Sequence, residues 1–412
     1  MRILLASIYP YAFLLLYLII PFDEYIRAIP NLLLGLLVIA FPFVVQKKDF
    51  GKLINKPSLL FLIFFLYLIG NTLLLNRMEE DFTILKKIFI AVLLVVLYIP
   101  VHGFKKINKA IIFSALAAIL FSLFNFIVLI NSQSAFEMLT PENSLDVLLI
   151  DRLYLGLLCV LSILVSYKSI RNNFHPVNKY YLINIVVNVL FIFLMISKEA
   201  IFIGLAILLV RQLYGPHLKL RLGITAILLA GAILVLSLNN GLPKKFFSST
   251  ENQSELNFIE KFMPMEFRQL IWGCIVSMGK DGQHSIFGRG FRNTNDDLLN
   301  CYDTTLQDID TKTWFLSHRF NTHNQFADLY LSAGLLAFLL FIGILASLLF
   351  QYRKDYYKVA LIVIITLFAL SESFFHRQIG GYYFGFILIA LLLNDPILNR
   401  TTEADEQEII KE

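Results

Sequence analysis

The length of the apolar runs constrains this chain more than any other feature. They recur from one end to the other, each of roughly 15–25 residues, the span a helix needs to cross the hydrocarbon core of a bilayer. Hydrophobic residues make up 58% of the 412 and charged residues 16%. A soluble domain sits nearer about 45–50% and about 25%. The chain therefore reads as an all-α polytopic membrane protein, not as a soluble enzyme with a large core. The first run, Ile3–Ile20, lacks a small-residue cleavage site and reads as a retained helix, not a signal peptide.

Hydropathy predicts about twelve spans, near 3–22, 31–45, 58–75, 83–101, 109–131, 147–167, 180–196, 199–213, 222–238, 324–350, 358–371 and 379–394. Lysine and arginine crowd alternate connections. One holds Lys47, Lys48, Lys52 and Lys56, another Lys105, Lys106 and Lys109, and later ones Lys168, Arg171 and Lys179, then Arg211, Lys219 and Arg221, then Arg353, Lys354 and Lys358. The intervening connections carry Asp23, Glu24, Glu79, Glu80, Asp81, Glu137 and Glu142 instead. The positive-inside rule then puts both termini in the cytoplasm and the long polar stretch 239–322 outside, in the periplasm of a Gram-negative cell. Four parts follow: an N-terminal bundle over 1–238, a large outer loop over 239–323, C-terminal spans over 324–398, and a polar tail over 399–412.

Within the outer loop, Pro264 to Lys280 predicts an amphipathic helix lying at the membrane interface, with Phe267, Leu270, Ile271, Cys274, Ile275 and Met278 on its apolar face. Gly288-Arg289-Gly290 reads as a flexible turn, and the acidic stretch Asp296 to Asp310 as a solvated loop. With three cysteines in all, free thiols are expected over a Cys274–Cys301 pair.

Some basic residues sit on the side the charge rule disfavours: Lys86, Lys87, Arg152, Lys198, His376 and Arg377, with Arg268, Arg289, Arg292, His318, Arg319 and His323 in the long loop. For Lys86 and Lys87, snorkelling to the headgroups is as good a reading as a cavity, and Arg152 beside Asp151 fits a structural ion pair. The number of cations at one face favours an anion site, and arginine presents a fork matched to phosphate oxygens. At the start of the tenth span, Thr322 and Gln325 have capping-box spacing, so Thr322 is the expected N-cap and His323 falls in the first helical turn. A helix N-terminus favours anions and a neutral imidazole, which suits His323 as a base.

The order of Arg268-x-x-x-Trp272, Phe287-Gly288-Arg289-Gly290, and His323-Asn324 followed by Leu331-Ser332-Ala333-Gly334-Leu335 resembles the O-antigen ligase/polymerase superfamily of bacterial envelope glycosyltransferases. Ser197-Lys198, Arg152 and the Ser371-Glu372-Ser373 turn before His376-Arg377 are similar as well. The resemblance covers roughly residues 145–390. It implies a GT-C-like bundle in the inner membrane with a periplasmic loop over the site. It further implies inverting, metal-independent transfer of a glycan from undecaprenyl pyrophosphate to lipid A–core or to another glycan, with no cofactor and no nucleic-acid partner. Carried over by position, Arg268, Arg152, Lys198, Arg289 and Arg377 would hold the pyrophosphate, and His323, with Arg268, would serve catalysis. Ligase and Wzy-type polymerase differ in the acceptor, and the ligase is favoured slightly. A lipid-linked oligosaccharide flippase ranks behind both, because the halves look unlike and the cations gather at one face.

Overall fold

The computed structural model describes residues 2–23, 25–26, 28–132, 148–171, 175–195, 197–214, 223, 226, 265–280 and 286–393. Among these residues the protein is helical without a strand. Fourteen α-helices of more than one turn run in chain order: α1 (Arg2–Ile19), α2 (Ala28–Val44), α3 (Lys56–Leu74), α4 (Met78–Tyr98), α5 (Lys105–Ser132), α6 (Arg152–Ser169), α7 (Asn178–Leu194), α8 (Lys198–Gln212), α9 (Met265–Lys280), α10 (Phe291–Thr305), α11 (Ile309–His318), α12 (Gln325–Tyr352), α13 (Tyr356–Ser371) and α14 (Gln378–Leu392).

Helices stand at eleven of the twelve expected spans, and the stretch 222–238 lies outside the described residues apart from 223 and 226. By length and composition five helices can cross a membrane: the stretch Leu4–Phe22, α3, α5 as far as Val128, α6 and α12. Shorter apolar helices are α2, α7, α13 and α14. This is the make-up of a helical membrane protein. Its buried centre is α14, where every residue from Gly380 to Leu392 is buried. Gly381 and Gly385 bring α14 close to α4, so that a methyl group on either would meet the Lys87 carbonyl or the Leu94 side chain. Small residues at such contacts let apolar helices approach where no hydrophobic force drives them together.

The two ends of the bundle sort as the charge pattern predicts. At one end, Lys52 donates to the carbonyls of Ile99 (2.7 Å) and Val101 (3.3 Å), Asn55 to that of Leu392 (2.8 Å), and Tyr214 to that of Arg353 (2.8 Å). At the other end, the connection after α3, the start of α8 and the connection between α13 and α14 meet the long loop.

That loop folds differently from expectation. The acidic stretch is largely helical, forming the greater part of α10 and the start of α11. Asp297, Asp296 and Asp303 pair with Arg289, Arg319 and Lys312, and Asp308 caps α11 by accepting from Thr311 N–H at 3.0 Å. The apolar face of α9 does not lie on a membrane surface. Ile271, Cys274 and Met278 pack with Leu298, Tyr302, Phe315 and Leu331 in a second small core. Cys274 and Cys301 form a disulfide joining α9 to α10, contrary to the free thiols expected. Pro264 and the side chain of Phe267 lie outside the described residues.

Gly288-Arg289-Gly290 is not a flexible turn but the clasp between this cap and the bundle. Helix α12 breaks at Gly334, where φ is +88°. The three carbonyls before the break find partners outside the helix. Leu331 O accepts from Arg289 N–H (3.0 Å), Ser332 O from Gly290 N–H (2.7 Å), and Ala333 O from the Tyr67 hydroxyl (2.9 Å) and the Asn71 amide (3.0 Å). Arg77 reaches the Gly288 carbonyl (3.1 Å) and holds Asn71 (3.0 Å), while buried Asp81 accepts from Phe291 N–H (2.6 Å) at the start of α10.

A Cβ at Gly334 would stand 2.1 Å from the Ile286 carbonyl oxygen, whereas one at Gly343 on the same helix meets nothing within 4 Å. Gly334→Ala should therefore lower the thermal midpoint in detergent sharply, by the equivalent of roughly 3 kcal/mol or more. Gly343→Ala should leave it unchanged or slightly raised. The disulfide predicts that maleimide labels Cys274 and Cys301 only after reduction, read by mass on intact protein.

Candidate functional site

Most of the site residues singled out in the sequence lie at the capped end in two groups that share a border, around Lys198 and around Glu372. The first surrounds the start of α8. Arg268, on α9, pairs with Glu199 at 2.8 Å. Arg152 and Arg268 both lie close enough to Lys198 to act on its charge, as does Glu199. Arg152, Lys198 and Arg268, from α6, α8 and α9, thus gather about Lys198 with Glu199 among them, and all three cations are at least partly accessible. Gly156 allows the approach of α6 to α8, since a Cβ there would lie 2.8 Å from Ser197 Oγ.

The second group surrounds the connection between α13 and α14. His323 Nδ1 lies 2.9 Å from Glu372 Oε2, with the carboxylate side chain 3% exposed and the imidazole 17%. Arg377 Nη1 pairs with Asp151 Oδ2 at 3.0 Å, and the guanidinium lies over the Tyr154 ring, 5.7 Å from its centroid. Asp151 also caps α6 by accepting from Leu153 N–H at 2.9 Å. The carboxylate beside Arg152 in sequence is therefore spent on Arg377, which sets aside the alternative of an Asp151–Arg152 pair. Because Asp151 and Arg152 are consecutive, the two groups abut.

Below His323, a buried polar row fixes the connection. His376 Nε2 meets Asp328 Oδ1 at 3.0 Å, Gln325 donates to Asp328 Oδ2 (3.1 Å), and Gln325 Oε1 accepts from Phe375 N–H (3.0 Å). Lys87 donates to the His376 carbonyl, so it turns inward and does not snorkel, whereas Lys86 is exposed.

The local geometry of His323 departs from expectation. Asn324, not Thr322, is the N-cap of α12, accepting from the N–H groups of Phe326 and Ala327, both at 3.0 Å. Thr322 is drawn away by Ser373, whose hydroxyl it meets at 2.7 Å. His323 stands just outside the helix with φ +43°, a left-handed conformation that non-glycine residues seldom adopt. Asn321 holds it there by accepting from His323 N–H at 2.9 Å.

With an ionised Glu372 accepting from Nδ1–H, the neutral tautomer of His323 has its acceptor nitrogen at Nε2. This is how a buried carboxylate orients a histidine base and stabilises the imidazolium that forms. Burial alone would raise the pKa of Glu372. The bond from His323 and the charges of His323, Arg377 and His376 outweigh it and hold the group below the usual carboxylate range.

Arg289 stands apart from both groups, with its guanidinium on Asp297 at 2.8 Å and its backbone in the clasp. The sequence reading missed the carboxylates, above all Glu372, Asp328 and Glu199, together with Tyr154. No family model matches the chain, and no curated protein matches it.

A group whose folded pKa is depressed contributes stability that is full above its unfolded value, about 4.3 for glutamate. That contribution is lost as pH falls through the lower folded value. The thermal midpoint should therefore fall on acidification below about pH 4, and Glu372→Gln should show a shallower fall. At pH 7 the same substitution should destabilise by roughly 1.5–3 kcal/mol, the range for a hydrogen bond to a charged group. Parallel melts of both proteins across pH check both points.

Proposed function

We propose that this protein is a glycosyltransferase of the O-antigen ligase type. It would move a glycan from undecaprenyl pyrophosphate to a lipid A–core or glycan acceptor at the periplasmic face of the inner membrane. In this reading the chain has about twelve spans in a GT-C-like bundle, with both termini in the cytoplasm. The observation that carries it is the pairing of His323 with buried Glu372 beside a group of three cations at the capped end.

The chemistry follows from the two groups. The acceptor hydroxyl attacks the anomeric carbon, and its proton passes to His323 Nε2 while Glu372 stabilises the imidazolium. The new C–O bond forms as the bond to the pyrophosphate oxygen breaks, and the electron pair leaves with the lipid diphosphate. Negative charge then builds on phosphate oxygens, where Arg152, Lys198 and Arg268 stabilise it more than in the ground state. Glu199 keeps the cations together while no anion is bound. The disulfide between α9 and α10 is in keeping with an oxidising side for the cap.

His323→Ala and Arg268→Ala should abolish glycan transfer, by roughly 10²-fold or more, with normal membrane levels of protein. Transfer from purified lipid-linked donor measures it, and undiminished transfer in both variants would end the proposal. On gels of envelope glycans from a deletion strain, intact core without long chains indicates ligase, and core bearing one repeat unit indicates polymerase.

A further inference from the structure

The second group borders a cavity of about 200 Å³, lined by Asp23, Asp151, Tyr154, Arg377, Gln378 and Ile379 among others. We propose that this cavity binds a single neutral sugar ring, so that glycan and diphosphate occupy separate compartments on either side of the Asp151–Arg152 step. The inference rests on the transferase reading for its purpose but not for its chemistry.

Charge argues first. The described lining carries two carboxylates and one guanidinium, a balance that repels phosphate. The Arg152, Lys198 and Arg268 group has the opposite balance, three cations to one carboxylate. Arg377, expected from the sequence to grip pyrophosphate, stands in this lining paired with Asp151. A polyol suits the mixed lining better: carboxylates accept from hydroxyls, while a guanidinium and a phenol donate to them. Ile150 and Ile379 supply apolar surface for the C–H face of a ring. Size argues next. Drug-sized ligands occupy pockets of about 300–1,000 Å³, so this cavity holds one ring and not a chain of them.

The third argument is Tyr154. The residue is 1% exposed, and its hydroxyl finds no hydrogen-bond partner among the described residues. A buried hydroxyl without a partner is destabilising, and such groups in native proteins call for an explanation. Tyr154 lines the cavity, and Glu372 and Asp151 are both near enough to act on its hydroxyl electrostatically. A ligand hydroxyl entering the cavity would supply the missing partner. The Gln378 amide is held ready by Asn31 (2.9 Å) and Tyr382 (3.3 Å).

Tyr154→Phe tests this, because it removes only the unpartnered oxygen. Full-length protein in nanodiscs is titrated with two probes: sugar-free undecaprenyl pyrophosphate, and a panel of free hexoses, N-acetylhexosamines and deoxyhexoses. The expected result is an equal or higher thermal midpoint for Tyr154→Phe, roughly 2- to 12-fold weaker binding of the preferred monosaccharide, and unchanged binding of undecaprenyl pyrophosphate. Ile379→Phe, which fills the cavity, should weaken the monosaccharide in the same selective way. If no monosaccharide binds the wild type, if both variants bind it unchanged, or if both lose undecaprenyl pyrophosphate equally, the sugar compartment is overturned. If the monosaccharide binds and depends on Tyr154 while undecaprenyl pyrophosphate does not bind wild type, the sugar site stands and the transferase reading falls.

Discussion

Everything at the capped end depends on how the break in α12 is satisfied. A transmembrane helix that breaks at Gly334 frees backbone carbonyls where little water reaches, and each unsatisfied group costs several kcal/mol. Here the clasp residues Arg289 and Gly290 supply two N–H groups, and Tyr67 and Asn71 of α3 supply the rest. The contact works only because both sides lack a Cβ, at Gly288 and at Gly334. One set of hydrogen bonds thus completes the bundle, seats α9, α10 and α11 on it, and sets the outer half of α12. That half begins with Asn324 and carries Gln325 and Asp328, so the orientation of His323 follows from the same clasp.

The electrostatics of this end are organised by carboxylates. Cations near a membrane surface repel one another, and three of them around Lys198 would spread apart without an anion. Glu199 holds Arg268 in that group, and Asp151 holds Arg377 in the neighbouring one. Glu372 sits 3% exposed against His323, where a lone carboxylate would protonate. Against burial, the hydrogen bond from His323 and the charges of His323, Arg377 and His376 hold its pKa down. The result is a surface divided by sign over a short distance, positive around α8 and balanced towards negative around the cavity.

Much of this was legible in the sequence, and the gaps have physical reasons. Helix position in an apolar chain depends on run length, so hydropathy found eleven of the described helices. Arg152, Lys198 and Arg268 were found because each breaks the charge rule. Their partners were not, because a carboxylate on an outer connection breaks no rule, and Glu372 meets His323 across 49 residues. Thr322 matched the capping-box spacing with Gln325, but Asn324 caps with its side chain alone, and Thr322 is engaged by Ser373, far away in sequence. The acidic stretch was taken as a loop on polarity alone. Yet Phe291, Thr294, Leu298 and Tyr302, all buried on α10, recur at helical spacing, a signal that hydrophilic neighbours masked.

The same division by sign bears on what kind of site this is. A protein that only ferried a charged lipid across the bilayer would gain from cations placed along the path. It would have no need of a histidine held in a strained backbone conformation against a buried carboxylate at one face. Holding His323 there costs strain, burying Glu372 costs desolvation, and leaving Tyr154 unpartnered costs a hydrogen bond. All three costs fall within one small region, between a group of cations and a polar cavity. Natural proteins concentrate such departures from stable packing where chemistry or recognition is done. Their position here, around a single imidazole, argues for proton transfer at a fixed point over passage along a channel.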